Sequence, residues 1–239
     1  MSWLLILFMF NLSYNSFGID FENGAVFSGY NDVRIPGDTG TEFSLYDELK
    51  TDPGYFFRAK FIYKLNKKHK FWLFASPLRL KAKGKLDRDI FFEDRTFAAN
   101  TDLEARYRFD SYRAGYQYSL LEKEKATLSL GVTAKIRDAS ISIEGNNQKS
   151  EKTNTGFVPL INFDFKYKFA YPFSLLFEGD ALAAKQGRAE DVFLGLLYNR
   201  SEKFAIKAGY RLIEGGADVD EVYNFTLIHF VSIGTIISF

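Results

Sequence analysis

Apolar and polar side chains alternate with a period of two over most of the chain. In the segment 157–170, Ile161, Phe163, Phe165, Tyr167 and Phe169 interleave with Asn162, Asp164, Lys166 and Lys168. Successive side chains of a strand point to opposite faces, so this order predicts a strand with one apolar and one charged face. Tyr55, Phe57, Ala59, Phe61 and Tyr63 alternate in the same way with Arg58, Lys60 and Lys64. Leu128, Leu130, Val132, Ala134 and Ile136 do so with Thr127, Ser129, Thr133, Lys135 and Arg137, and Phe204, Ile206, Ala208, Tyr210 and Leu212 with Lys207 and Arg211. Two segments change phase midway. The apolar set Leu103, Ala105, Tyr107, Phe109 gives way to Tyr112, Ala114, Tyr116, Tyr118, which predicts a β-bulge at Asp110-Ser111. A similar shift falls at Arg137-Asp138, ahead of Ile141 and Ile143.

These patterns predict about ten strands, near 19–30, 55–65, 70–83, 101–119, 126–143, 157–170, 173–184, 191–198, 204–214 and 222–239, with eight or twelve as the alternative counts. Short connections at 66–69, 120–125, 171–172 and 199–203 alternate with 31–54, 84–100, 145–156, 185–190 and 215–221, the first three of which are long and polar. Short turns at one end and longer loops at the other predict a single antiparallel up-and-down transmembrane β-barrel, an all-β fold. A chain of 239 residues fits one such unit. No segment reaches the roughly 18 apolar residues of a membrane-spanning helix, and barrel strands leave no such peak.

The run from Trp3 to Phe10 is continuously apolar and fits the core of a signal peptide, with Ser16 and Gly18 spaced as the −3 and −1 residues of a cleavage site. The expected organisation is a cleaved signal over 1–18 and a barrel over 19–239. No Lys or Arg precedes the run, which leaves a start codon further upstream or a buried N-terminal strand as alternatives.

Composition narrows the chemistry. Lys and Arg number 31 against 30 Asp and Glu, a net charge of +1, so the basic excess of a nucleic-acid binder is absent. With Cys at 0, disulfides, thiolate metal sites and thiol catalysis are excluded, and His69 and His229 are too few for a His-rich metal centre. Neither a metal nor another cofactor is expected. Aromatic residues make up 18% of the chain, including 26 Phe and 14 Tyr, as the interfacial girdles of a membrane barrel require.

The chain ends Val231-Ser232-Ile233-Gly234-Thr235-Ile236-Ile237-Ser238-Phe239. A last strand closing on a terminal aromatic resembles the outer-membrane β-barrel proteins of Gram-negative bacteria. That resemblance implies a cell outer-membrane location, contact with outer-membrane lipids including lipopolysaccharide, and recognition of Phe239 by the barrel-assembly machinery. The stretches Arg108-Phe109-Asp110-Ser111-Tyr112-Arg113, 177–192 and 209–225 further resemble an uncharacterised family of small bacterial outer-membrane barrels, which implies a location and no activity. A soluble β-sandwich or lipocalin-like barrel would show the same periodicity with its faces reversed.

If the apolar positions face lipid, the alternate positions line the lumen. The candidate lumen charges are Arg58, Lys60, Arg79, Lys81, Glu104, Arg106, Arg108, Asp110, Arg113, Lys135, Arg137, Asp164, Lys166, Glu178, Asp180, Lys207 and Arg211. A ten-stranded lumen is little wider than the eight-stranded size that side chains fill, so mixed charges are expected to pair into a plug. A narrow pore with these groups as its selectivity lining is the alternative. Near the outer rim, Arg188 stands beside Glu190 and Asp191, and Glu214, Asp218, Asp220 and Glu221 crowd one loop. Those acids match no calcium-loop spacing, so a solvated loop is expected there and no metal site.

Omptin-type proteases are ten-stranded and use Asp and His near the outer rim, so an enzyme is a second functional class. Here His69 falls in a short periplasmic turn, and His229 shares parity with the lipid-facing Phe225, Leu227, Val231 and Ile233. Neither G-x-S-x-G nor a Gly-rich phosphate loop is present. The sequence therefore favours a non-enzymatic barrel, structural or a narrow passage for small polar solutes. The alternatives are a lipid- or peptide-modifying barrel, or an adhesin using the long segments 31–54 and 84–100.

Overall fold

The computed structural model describes residues 15–185 and 187–239. The apolar run at 3–10 lies outside the described residues, as does most of the expected signal peptide. Ser16–Gly18 belong to the first strand, where Ser16 pairs with Lys64 and Gly18 with Ser238, so cleavage after Gly18 would shorten that wall.

The strands in chain order are β1 (Ser16–Arg34), β2 (Phe43–Ser44), β3 (Gly54–Leu65), β4 (His69–Ser76), β5 (Arg79–Gly84), β6 (Ile90–Phe92), β7 (Arg95–Phe97), β8 (Leu103–Glu122), β9 (Ala126–Gly145), β10 (Gln148–Ala170), β11 (Phe173–Ala184), β12 (Gly187–Asn199), β13 (Phe204–Val219) and β14 (Val222–Ser238). Each wall strand pairs antiparallel with its neighbour in sequence, and β14 pairs with β1 to close the sheet. β4 and β5 occupy one wall position, broken at Pro77-Leu78, because both pair with β8 in a single register. The closed wall thus has ten strand positions, and β2, β6 and β7 belong to the segments above it.

Cross-strand register fixes which side chains point inward. Lys60 faces Phe74, Phe74 faces Arg113, and Arg113 faces Lys135, so these four share the lumen side. On the other face, Leu73 and Val132 are each 61% exposed, Phe157 64% and Val231 60%. Exposed apolar side chains continuous around a closed wall form a lipid-facing band. Aromatic residues border its periplasmic end, where Phe17 packs on Tyr63, Phe71 on Tyr116 and Phe173 on Tyr198.

The two phase changes are not bulges. β8 and β9 keep one register from Glu104↔Glu144 through Asp110↔Asp138 to Ser119↔Ser129, and their only irregularity lies between Ser119 and Leu121. Odd-numbered positions of both strands face inward along this whole length. The surroundings change while the backbone runs straight. Below Asp110 the wall stands in lipid, so apolar residues face out and Ser111, Arg113 and Gln117 face in. Above it the wall stands in water, so Leu103, Ala105, Tyr107, Ile141 and Ile143 turn their apolar side chains inward and are buried. A real bulge occurs in β1, where the register with β14 shifts between Ser28 and Tyr30.

Two expected loops are strands. The segment 148–156 extends β10, turning into β9 through Asn146 and Asn147, both at positive φ (49° and 61°) as Asn tolerates. Likewise β13 and β14 pair as far as Val219↔Val222. These stretches carry no apolar alternation because neither of their faces meets lipid. The remaining long segments, 35–53 and 85–102, fold over the barrel mouth as a cap. Phe43, Leu45, Leu49, Leu86, Ile90, Phe92 and Phe97 form one core with Val33, Leu80 and Ile143 from the wall. Thr41 N donates to Phe91 O (2.9 Å) within the cap, which is tied to the wall by Leu45 N donating to Asn31 O (2.8 Å) and Lys152 to Glu93 (3.1 Å).

Candidate functional site

Beneath the cap, the lumen at mid-membrane is filled by interlocked ion pairs. Asp191 is the hub: its Oδ2 accepts from Arg58 (2.7 Å) and Arg113 (2.6 Å), and its Oδ1 from Arg211 (2.7 Å). Arg211 also donates two parallel bonds to Glu22 (2.7 and 2.8 Å) and one to Glu178 (3.2 Å). Lys207 bridges Asp20 (2.8 Å) and Glu22 (3.0 Å), Arg113 reaches Asp180 (2.6 Å), and Lys60 reaches Glu178 (3.4 Å).

The tally is even: five cations (Arg58, Lys60, Arg113, Lys207, Arg211) against five carboxylates (Asp20, Glu22, Glu178, Asp180, Asp191). Two rings act as platforms. Arg58 and Arg113 lie over Phe74 (4.7 and 4.8 Å to the centroid), and Lys207 and Arg211 over Phe193 (5.2 and 5.0 Å). A void of about 20 Å³ remains between Arg58, Trp72 and Asp180, room for about one water. Every buried charge of this group meets at least one opposite partner, and Glu22, Glu178, Asp191, Arg113, Lys207 and Arg211 meet more, which offsets much of their desolvation cost.

The structure divides the sequence-predicted lumen charges. Arg58, Lys60, Arg113, Lys135, Arg137, Asp164, Lys166, Glu178, Asp180, Lys207 and Arg211 occupy inward positions. Asp164 pairs with Lys70 (2.7 Å) in a lower group that also holds Lys166. Arg79, Lys81, Glu104, Arg106, Arg108 and Asp110 do not line the lumen. Their register places them on the outer wall above the lipid band, where Arg79 pairs with Asp110, Arg108 with Asp138 (2.6 Å), and Arg106 with Glu104 (3.0 Å). The sequence reading assumed one apolar face throughout, and the inversion at the membrane boundary exchanges the faces. Asp20 and Glu22, absent from the predicted set, are central. Gly24 and Asn23 interrupt the alternation of β1 and hid their parity.

At the rim, Arg188 pairs with Glu214 (2.6 Å), which also accepts from the Tyr30 hydroxyl. Glu190 occupies an outward position on β12. Asp191 is not a rim group; it faces inward and anchors the plug. Asp218, Asp220 and Glu221 lie exposed at the β13–β14 turn, with the Asp220 carbonyl accepting from Asp38 N (3.2 Å). Among the described residues no three His, Cys, Asp or Glu side chains converge as metal ligands. His69 bonds the Tyr116 hydroxyl (2.9 Å) at the periplasmic end. His229 bonds the Tyr210 hydroxyl on the outer surface and covers Gly29, where a Cβ would lie 2.4 Å from its Nε2.

Between plug and cap lies a cavity of about 430 Å³, lined by Phe109, Ile141, Val158, Leu182 and Ile213 among others, with Lys135 and Arg137 at its floor. Sequence reading gave no sign of it, because it forms where the wall is uneven.

No family model matches the chain, and no curated protein matches it. Among solved structures, the outer membrane protease OmpT from Escherichia coli superposes with a TM-score of 0.58 at 9% identity, covering 94% of this chain and 97% of that one. The Yersinia pestis attachment invasion locus protein Ail (TM-score 0.38, 14% identity, 93% and 98% coverage) and OprG from Pseudomonas aeruginosa (0.34, 11%, 95% and 96%) are more distant. At such identities the likeness is one of fold. The closed ten-position antiparallel wall and its apolar outer band define a small transmembrane-type β-barrel. The chain has the fold of the outer-membrane β-barrel proteins.

Proposed function

We propose that this protein is a non-enzymatic barrel that seals its own lumen and meets its ligands at the outer face. The observation that carries the reading is the charge-balanced plug centred on Asp191, closed further by the apolar cap. A polar solute would have to displace several short ion pairs at once, which a narrow pore with fixed selectivity groups does not require. The measurement is single-channel conductance of the refolded protein in a planar bilayer, with heat-modifiable gel mobility to report folding. Folded protein is expected to be silent; discrete, salt-dependent steps would overturn the reading in favour of a pore.

Proteolysis and lipid modification draw no support from the rim. His69 lies at the periplasmic end and His229 on the outer surface, each bonded to a Tyr hydroxyl, so neither faces the lumen at this mouth. The outward cations Arg79, Lys81, Arg106 and Arg108 stand just above the lipid band, which suits contact with the anionic headgroups of lipopolysaccharide. The terminal Phe239 is exposed, and its N–H donates to Phe17 O (2.8 Å), which supports the proposal that the barrel-assembly machinery reads it. The folded cap supports a second reading, surface recognition. Its test is deletion of 85–102, and unaltered binding to host cells would remove it.

A further inference from the structure

We infer that the cavity beneath the cap is a binding site for an amphiphile with a carboxylate head and an apolar body, entering sideways from the outer leaflet. Three observations lead there. The first is a breach in the wall. The β10–β11 ladder ends at Ile161↔Ala181, yet β10 continues to Gln148 with its backbone ladder made to β9 alone. The β11–β12 hairpin turns at Ala184↔Gly187, so the wall is low beside an upper β10 that stands one-sided. Pro159, which cannot donate to a ladder, lies on this stretch, where prolines in sheets are found. The lipid-facing Phe157 flanks the notch and also lines the cavity. A route through the wall therefore joins the cavity to the leaflet.

The second is the cavity's character. Its volume of about 430 Å³ falls within the usual range of roughly 300–1,000 Å³ for small-molecule sites. Its walls are largely apolar, and the plug forms its floor, so a ligand would enter and leave by the notch.

The third is uncompensated charge. The plug uses all five of its carboxylates on its own five cations. Lys135 and Arg137 stand immediately above it, both inward on β9. Lys135 is 4% exposed, and its Nζ lies 4.9 Å from the centroid of the Phe109 ring with no ion pair among the described residues. Arg137 donates to Asn154 Oδ1, while its Nε is buried without a partner. The acids nearest the cavity are committed or peripheral. Glu214 is held by Arg188 and Tyr30, Glu190 points outward, and Glu221 lies in the exposed turn. A buried lysine amine without an ion pair and a guanidinium with an unpartnered N–H, both on residues lining an apolar chamber, call for an anion attached to an apolar body.

The test is photocrosslinking in bilayers with a long-chain carboxylic acid carrying a diazirine in its tail, with adducts mapped by mass spectrometry. Adducts are expected on 139–141, 157–159, 182–184 and 187–189, competed by excess unlabelled acid and about tenfold less well by its methyl ester, the worth of one charge-assisted hydrogen bond. Lys135→Met should lower the yield at those positions by a similar factor, and Ala139→Phe, which fills the chamber, should abolish it. Adducts spread evenly around the lipid band, or equal competition by acid and ester in the wild type, would overturn the proposal whether or not the variants fold. Conductance tests the sealed lumen separately, so failure of one reading leaves the other standing.

Discussion

Arg211 and Glu22 face one another across the lumen in a two-bond pair (2.7 and 2.8 Å), although 189 residues separate them in the chain. The pair reaches over β14 to join β13 to β1 and lies wholly out of water. Removing one charge of a buried pair leaves the other uncompensated, which costs about 3–5 kcal/mol. Glu22→Gln should therefore lower the temperature at which the folded gel band is lost, by far more than a surface change does. A midpoint equal to wild type would show that the plug does not hold the wall.

The inversion of faces along β9 yields a contrast between two positions of equal parity. Val132 is outward in lipid, and Glu144 is outward above it. Val132→Arg should cost about 2–4 kcal/mol, the penalty for a cation near the middle of the bilayer. Glu144→Arg should stay within about 0.5 kcal/mol, as exposed substitutions do. Urea titration of refolding into vesicles measures both.

Trp72 lies against Gly115 on the next strand, where a Cβ would fall 2.1 Å from the indole. Gly115→Ala must push the ring aside in a packed lumen, at a cost of about 1–3 kcal/mol. The indole also carries Lys60 Nζ at 5.3 Å, so its displacement should change the fluorescence of Trp72 as well as the stability. An unchanged emission spectrum in the variant would contradict the placement of the ring.

In the cap, the Arg88 guanidinium hydrogen-bonds Glu48 (2.6 Å) and, with the Ser44 N–H, holds its carboxyl below the usual value of 4.5. A carboxyl lowered on folding contributes stability that is present above its unfolded value and lost as pH falls through its folded one. Cap amides over 35–53 and 85–102 should exchange more slowly in wild type than in Glu48→Gln above pH 4.5, and the two should converge below it. Both groups are substantially exposed, so the gap should be small. No convergence on acidification would assign the protection to the apolar core alone.

Much of the wall was legible in the sequence because lipid imposes one rule on every strand it touches. Segments such as Ile161–Lys168 and Phe204–Leu212 alternate without interruption, and their register is as the pattern implies. Legibility ended where the rule changed. At Asp110 the solvent outside becomes water, the alternation inverts, and an inversion in sequence looks the same as a bulge. The polar stretch 148–156 has no apolar face and so gave no strand signal, although Asn146-Asn147 is a recognisable turn. The cap could have been found from Leu45, Leu49, Leu86, Ile90, Phe92 and Phe97, an apolar content too high for plain loops. Most of the plug was visible: Arg58, Lys60, Arg113, Glu178, Asp180, Lys207 and Arg211 follow from parity, whereas Asp20 and Glu22 were hidden and Asp191 sat among rim charges, turned inward by the pairing of β12 with β13.

The even charge tally of the plug also bears on assembly. Asp20 and Glu22 sit on the first strand, and the cations that neutralise them, Lys207 and Arg211, arrive on β13, the last strand but one. Until that hairpin is in place, β1 carries two carboxylates that the bilayer interior will not accept without partners. Insertion of β1 on its own into hydrocarbon is thereby costly, and a wall that comes together before its middle enters the hydrocarbon avoids that cost. What holds the finished barrel shut is also what keeps the unfinished one out of the membrane.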